Sequence, residues 1–185
     1  MAVITKDSSL VEVATIVSDA LSRAGIAATL SGGSAVSIYS DNLYQSHDLD
    51  FVTAAIIAEL KPVLTSLGFI HTGVPRLSQF EHPLVEWFIE FAPAPLTFGK
   101  HCADHRDCAV IQTPQGDLRI VTPTQSVMDR LAAAFAWKDP QSRDQAILVA
   151  RAQEIDWKAL KDWFAGEGES VKEFERFQEA VENKL

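Results

Sequence analysis

Between Leu30 and Val52 the chain reads LSGGSAVSIYSDNLYQSHDLDFV, and this stretch restricts the fold more than any other. The apolar run from Ala27 to Leu30 predicts a strand, Gly32-Gly33 a turn, Ala35 to Tyr39 a helical turn, and Asp48 to Val52 a second strand. Strand side chains alternate, so Asp48 and Asp50 share one face while Leu49 and Phe51 take the other. Two carboxylates this close repel each other unless a cation lies between them. A hard divalent ion such as Mg2+ or Mn2+ is held by one or two carboxylates plus phosphate oxygens. The glycines allow close backbone approach to a ligand, and the helix after them offers free N–H groups and a positive dipole end to an anion. Gly32, Gly33 and Ser34 are therefore the candidate phosphate cradle, and Asp48 and Asp50 the candidate metal ligands.

The rest of the chain frames that stretch. Leu10, Val13, Ile16, Val17, Ala20 and Leu21 fall at helical spacing, and Ser9 with Glu12 forms a capping box. Gly25 closes this helix ahead of the first strand. A further helix is predicted over 54–67, with Ile56, Ile57, Leu60, Val63, Leu64 and Leu67 as its buried stripe and Pro62 imposing a kink or a late start. Residues 69–90 read as strands with turns at Gly73-Val74-Pro75 and His82-Pro83. Along Leu84 to Phe91, Val85, Trp87, Ile89 and Phe91 take one face and Glu86, Phe88 and Glu90 the other. Residues 91–108 read as a loop. Its His101, Cys102, His105 and Cys108 are zinc-ligating types, but their spacings do not fit finger patterns, and the segment reads as a substrate-facing loop or ordinary surface. Ala109 to Thr113 and Asp117 to Val121 predict a hairpin turned by Pro114-Gln115-Gly116.

At Thr122 the hydrophobic period becomes 3.6 and remains so. Thr122 and Gln125 form a capping box with Pro123 at the first helical position, and helices also open at Asp139-Pro140, Asp156 and Ser170. The expected class is α+β: a mixed sheet flanked by helices over residues 1–121, followed by a C-terminal helical bundle over 122–185 packed on that core.

A glycine pair after a strand, followed in order by Asp-hydrophobic-Asp-hydrophobic, resembles the signature of the nucleotidyltransferase superfamily that includes DNA polymerase beta. The wording GGSAVSIYS…SHDLDFV is most similar to its small AbiEii-like, toxin-type branch. The resemblance implies a polymerase-beta-like core, an NTP donor, and a third carboxylate on a neighbouring strand that joins Asp48 and Asp50 in holding the metal or accepts the acceptor hydroxyl's proton. Glu90 is the candidate for that role, with Glu86 as competitor. It also implies cations on the following helices. Arg130-Leu131-Ala132-Ala133 stands where the branch carries a Lys-Leu-x-Ala motif, and Arg143-Asp144 where it carries Arg-Asp. Arg130 in place of Lys exchanges a point charge for a planar fork. The activity implied is transfer of NMP to an acceptor hydroxyl on a small molecule, protein or RNA, with an antitoxin protein as a possible partner.

Two rivals come from other classes. A haloacid-dehalogenase reading of Asp-x-Asp requires an apolar strand before Asp48 and Thr four residues after it, whereas Gln45-Ser46-His47 precedes and Val52 holds that place. The stronger rival is a nucleotidyltransferase-fold module that binds nucleotide or protein without turnover. A formal net charge of −9 argues against a broad nucleic-acid-coating surface. No apolar run approaches the roughly 18 residues of a membrane span, the N-terminus lacks a signal-peptide core, and the two cysteines make no disulfide framework, so a cytoplasmic protein is expected.

Overall fold

The computed structural model describes residues 3–72 and 79–183; the turn expected at Gly73-Val74-Pro75 lies outside them. A sheet of seven strands runs in the order β3 (Ile70–His71), β4 (Gln79–Glu81), β5 (Phe88–Pro93), β2 (Asp48–Thr53), β1 (Ala28–Ser31), β9 (Gly116–Ile120), β8 (Ala109–Thr113). β1 is antiparallel to β2 and parallel to β9, and β2 is parallel to β5, which makes the sheet mixed. Its period-two pattern appears directly in burial. Leu49, Phe51, Ile89 and Leu30 are fully buried, and Phe51 stacks on Phe91 at 5.8 Å between centroids. The alternate residues of β2 are only half-buried.

Helix α1 (Leu10–Arg23) begins where its capping box predicts. The Ser9 side chain accepts from the Glu12 N–H, and the Glu12 carboxylate accepts from Ser9 N at 2.8 Å. Helix α2 (Gly32–Tyr39) starts on the glycines themselves, directly after β1. Helix α3 (Ile57–Ser66) starts late, as Pro62 allows, with Glu59 reaching back to Ile56 N at 2.9 Å. Ile56 therefore lies before the helix and is 64% exposed, so it does not belong to the buried stripe.

Two segments depart from expectation. The strand read over 84–91 begins only at Phe88: residues 83–84 form a turn, and the neighbouring β4 is just three residues long and pairs with Ile89 and Glu90. The segment read as a loop over 91–108 contains a second, two-stranded sheet, β6 (Leu96–Phe98) with β7 (His101–Ala103), and a 3-10 turn at His105–Asp107. Proline and polar residues obscured it. Buried Phe98 fixes one strand, and the Glu167 carboxylate accepts the Lys100 N–H at 2.8 Å at its turn.

The C-terminal helices are α4 (Pro123–Trp137), α5 (Pro140–Ala152), α6 (Trp157–Glu167) and α7 (Val171–Glu182), each with the Thr, Asp or Ser cap expected from sequence. Phe135, Trp163, Phe164, Phe174 and Phe177 form a chain of aromatic contacts that holds α4, α6 and α7 together. The Tyr39 hydroxyl donates to Val121 O at 2.6 Å and Gln153 Nε2 to Tyr39 O at 2.8 Å, which ties the end of α2 to β9 and to the end of α5. None of the described helices is long and apolar enough to cross a membrane.

Candidate active site

The sheet places carboxylates on one face by register. Asp50 of β2 lies opposite Ser31 of β1 on one side and Glu90 of β5 on the other, and Gln79 of β4 lies opposite Glu90. The four form one cross-strand row, Gln79-Glu90-Asp50-Ser31. Asp48 stands two residues before Asp50 on the same face, in register with Phe88. Glu86 precedes β5 and is exposed, whereas Glu90 lies within β5 in register with Asp50.

The glycines let this row meet α2. Gly32 has φ +63, a backbone state that L side chains rarely adopt, and a Cβ there would overlap the Asp50 carboxylate. A Cβ on Gly33 would stand 3.0 Å from Ser46 Oγ and 3.2 Å from Tyr44 Cε1. The missing side chains thus make room for the chain's own Asp50 and for the loop before β2, and any anion would meet the turn through its backbone N–H groups. Ser34 is fully buried, and its hydroxyl donates to Ser31 O at 3.0 Å, which fixes the turn. A contact from Ser34 to a phosphate falls to its backbone.

Ser46, which the sequence did not single out as a site residue, is the group that holds Asp48. It is 3% exposed, its Oγ donates to Asp48 Oδ1 at 2.7 Å, and its own N–H donates to Ser37 Oγ at 2.9 Å. Its sequence signal was its place at the head of the Ser-His-Asp-Leu-Asp-Phe wording, two residues before Asp48.

Charge is unevenly balanced here. Burial, then the neighbouring Asp48, push the Asp50 carboxyl up to about 7 from its ordinary 3.8; Glu90 and Asp129 add to the rise, and Arg130 opposes it. Arg130 on α4 therefore acts on the row, yet it is not free: its Nη2 and Nε donate to Asp129 Oδ2 at 2.6 and 3.0 Å, and its Nη1 to Gln145 at 3.4 Å. Arg143 is turned elsewhere. Its Nη1 donates to Glu173 Oε1 at 2.9 Å and its guanidinium lies 5.9 Å from the Phe177 ring centre, so α5 uses it to hold α7.

An under-compensated carboxylate pair beside a helix N-terminus suits a hard divalent ion, because Mg2+ needs only one or two carboxylates when phosphate supplies the remaining oxygens. Among the described residues no three His, Cys, Asp or Glu side chains are grouped closely enough to hold a metal by themselves. That applies also to the 101–108 segment, where Cys102 is exposed and His105 lies beside Asp104 at 3.3 Å. A separate groove of about 1020 Å³ opens between the first turns of α4, helix α6 and the β6–β7 turn, with Met128 and Trp163 in its lining and none of the row's carboxylates.

No protein-family model matches the sequence, and no curated protein matches it. Solved structures do. The chain is similar to an antigenic nucleotidyltransferase-like protein from Paracoccidioides brasiliensis, with TM-score 0.62 and 13% identity over 98% of this chain and 95% of that one. It is also similar to ANT(2")-Ia, solved in complex with adenylyl-2"-tobramycin, with TM-score 0.50 and 13% identity over 94% of this chain and 96% of that one. The mixed sheet with its flanking helices is thus a nucleotidyltransferase-like fold.

Proposed function

We propose that the protein is a metal-dependent nucleotidyltransferase that moves NMP from an NTP to an acceptor hydroxyl and releases pyrophosphate. The observation that carries this reading is the row in which Asp50 lies in register with Glu90 and against Gly32. Asp48 and Asp50 would hold Mg2+ or Mn2+, which supplies charge stabilisation along the triphosphate and the reacting phosphorus. The N–H groups at Gly32, Gly33 and Ser34 receive the β- and γ-phosphates at the start of α2. Ser46 keeps Asp48 aimed at the site. Glu90, one strand over, completes the acidic face and takes the acceptor's proton as the oxygen attacks the α-phosphorus in line. Arg130 balances the remaining charge from α4. Such a reaction is driven by positioning and electrostatics, so it needs few residue types.

The AbiEii-like resemblance of the sequence supports a toxin role with an antitoxin protein as partner; we place the protein in the cytoplasm. The acceptor is a hydroxyl on a small molecule, a protein or RNA; the net charge of −9 favours the first two. We read residues 1–121 as the catalytic core and 122–185 as the helical region packed on it. Pyrophosphate release from an NTP, dependent on Mg2+ and lost in Asp50→Ala while the circular dichroism spectrum is kept, is the expected result. Release that survives in Asp50→Ala overturns the assignment.

A second reading, nucleotide or protein binding without turnover, is favoured by one observation. Arg130 is paired with Asp129 and Arg143 with Glu173, so both cations implied for the triphosphate are engaged within the protein. NTP binding without pyrophosphate release under any divalent ion would establish it.

A further inference from the structure

The hydroxyls of Ser34, Ser37 and Ser46 beside the Gly32-Gly33 turn are spent inside the protein. Ser34 donates to Ser31 O at 3.0 Å, Ser37 donates to Gly33 O at 3.2 Å and accepts from Ser46 N, and Ser46 donates to Asp48. Tyr44 brings a further hydroxyl to the turn. Its ring lies on Gly33, where a Cβ would stand 3.2 Å from Tyr44 Cε1 and 3.4 Å from its hydroxyl oxygen. That hydroxyl makes no hydrogen bond among the described residues, although the backbone of the same residue is held by Ser40 Oγ at 3.4 Å.

The loop that delivers Tyr44 is built for that position. Asp41 and Asn42 both take left-handed backbone, φ 52 and 60. Such a state costs free energy for residues other than glycine, least for Asp and Asn. Three backbone bonds hold it, Asp41 N to Ile38 O at 3.4 Å, Asn42 N to Ser37 O at 2.8 Å and Leu43 N to Ser40 O at 3.2 Å. The result folds the chain back over the start of α2, leaves Leu43 73% exposed, and sets the half-buried Tyr44 over the glycine turn.

We propose that Tyr44 is a donor-binding residue, whose phenol O–H donates to a non-bridging oxygen at the β,γ end of the triphosphate. This rests on the reading of the site given under Proposed function. It supplies the side-chain hydroxyl contact at the cradle that Ser34, turned inward, does not. Tyr44 is not itself the acceptor: in-line displacement brings the acceptor oxygen to the α-phosphorus from the side opposite the leaving pyrophosphate. A group on the turn that receives the β- and γ-phosphates stands on the leaving side. Its contact is therefore made equally to bound NTP and to pyrophosphate, and not to NMP.

Calorimetric titration of the full chain with pyrophosphate, each NTP and each NMP, in Mg2+, tests this on wild type and Tyr44→Phe. Tyr44→Phe keeps the ring against Gly33, so its melting temperature without ligand should equal that of wild type. Loss of one hydrogen bond to a charged oxygen should weaken pyrophosphate and NTP binding about ten-fold and leave NMP binding unchanged. In turnover, KM for the NTP should rise with kcat little changed, as for an interaction made alike in ground and transition states. Tyr44→Phe binding pyrophosphate as tightly as wild type overturns the proposal for Tyr44 alone, and so does an equal loss for NTP and NMP. Wild type binding neither pyrophosphate nor any NTP overturns the functional reading and this inference with it.

Discussion

Asp50 provides a test that needs no substrate. Its carboxyl ionises near 7 instead of 3.8 because burial and Asp48 disfavour its charge. In the unfolded chain it ionises near the ordinary value. Between those two pH values the folded state holds a proton that the unfolded state has lost, so stability falls as pH rises from about 4 to about 7 and then levels off. At roughly 1.4 kcal/mol per pH unit the loss at pH 8.5 is about 4 kcal/mol. Asp50→Asn removes the charge while keeping shape and hydrogen-bonding capacity. In EDTA at pH 8.5 it should be more stable than wild type by about 2–4 kcal/mol, which for a chain of this size raises the melting temperature by roughly 5–10 °C. At pH 4.5 the difference should fall toward zero, since both proteins are then neutral at that position. Melting curves followed by circular dichroism across pH 4.5–8.5 measure it directly. Differences between wild type and Asp50→Asn that do not change over that range would refute the idea that this carboxylate is held against its charge.

Other outcomes follow from the same geometry. Gly32→Ala combines a φ of +63 with overlap of the Asp50 carboxylate and should cost at least about 2 kcal/mol in urea denaturation. Ser46→Ala frees Asp48 and leaves the fold standing, so Mg2+ affinity measured by calorimetry should weaken on the order of ten-fold. Arg130→Gln removes the cation that holds the Asp50 ionisation down, and the pH at which stability levels off should move above 7 in the melting series. Phe164→Ala hollows the contact of α4, α6 and α7 and should destabilise by about 3–5 kcal/mol, read from the denaturation midpoint.

What could be read from the sequence was what local rules encode. The Ser9–Glu12 and Thr122–Gln125 boxes are made within four residues, and both form as expected. The period-two pattern of DLDFV placed Leu49 and Phe51 in the core and the aspartates opposite them. Alternation alone could not rank Glu90 over Glu86; that depends on pairing with β2 and on a strand that starts at Phe88, after the turn at 83–84. The pairing of Arg143 with Glu173 on α7 depends on tertiary packing, which the spacing of Arg-Asp does not report. The β6–β7 pair was missed because its stability lies in Phe98 and in a partner 67 residues away, Glu167. The Tyr44 contact depends on two left-handed residues, Asp41 and Asn42, whose conformations no periodicity reports.

A thermal-shift panel of the four NTPs, with and without Mg2+, on wild type and Asp50→Ala tests the central claim most directly, because a ligand that binds only the folded state raises its melting temperature. Each shift is read against that protein's own unliganded value, since removing Asp50 itself changes stability. The account predicts a Mg2+-dependent rise for at least one NTP in wild type and none in Asp50→Ala. No rise with any NTP, or an equal rise in Asp50→Ala, would contradict it.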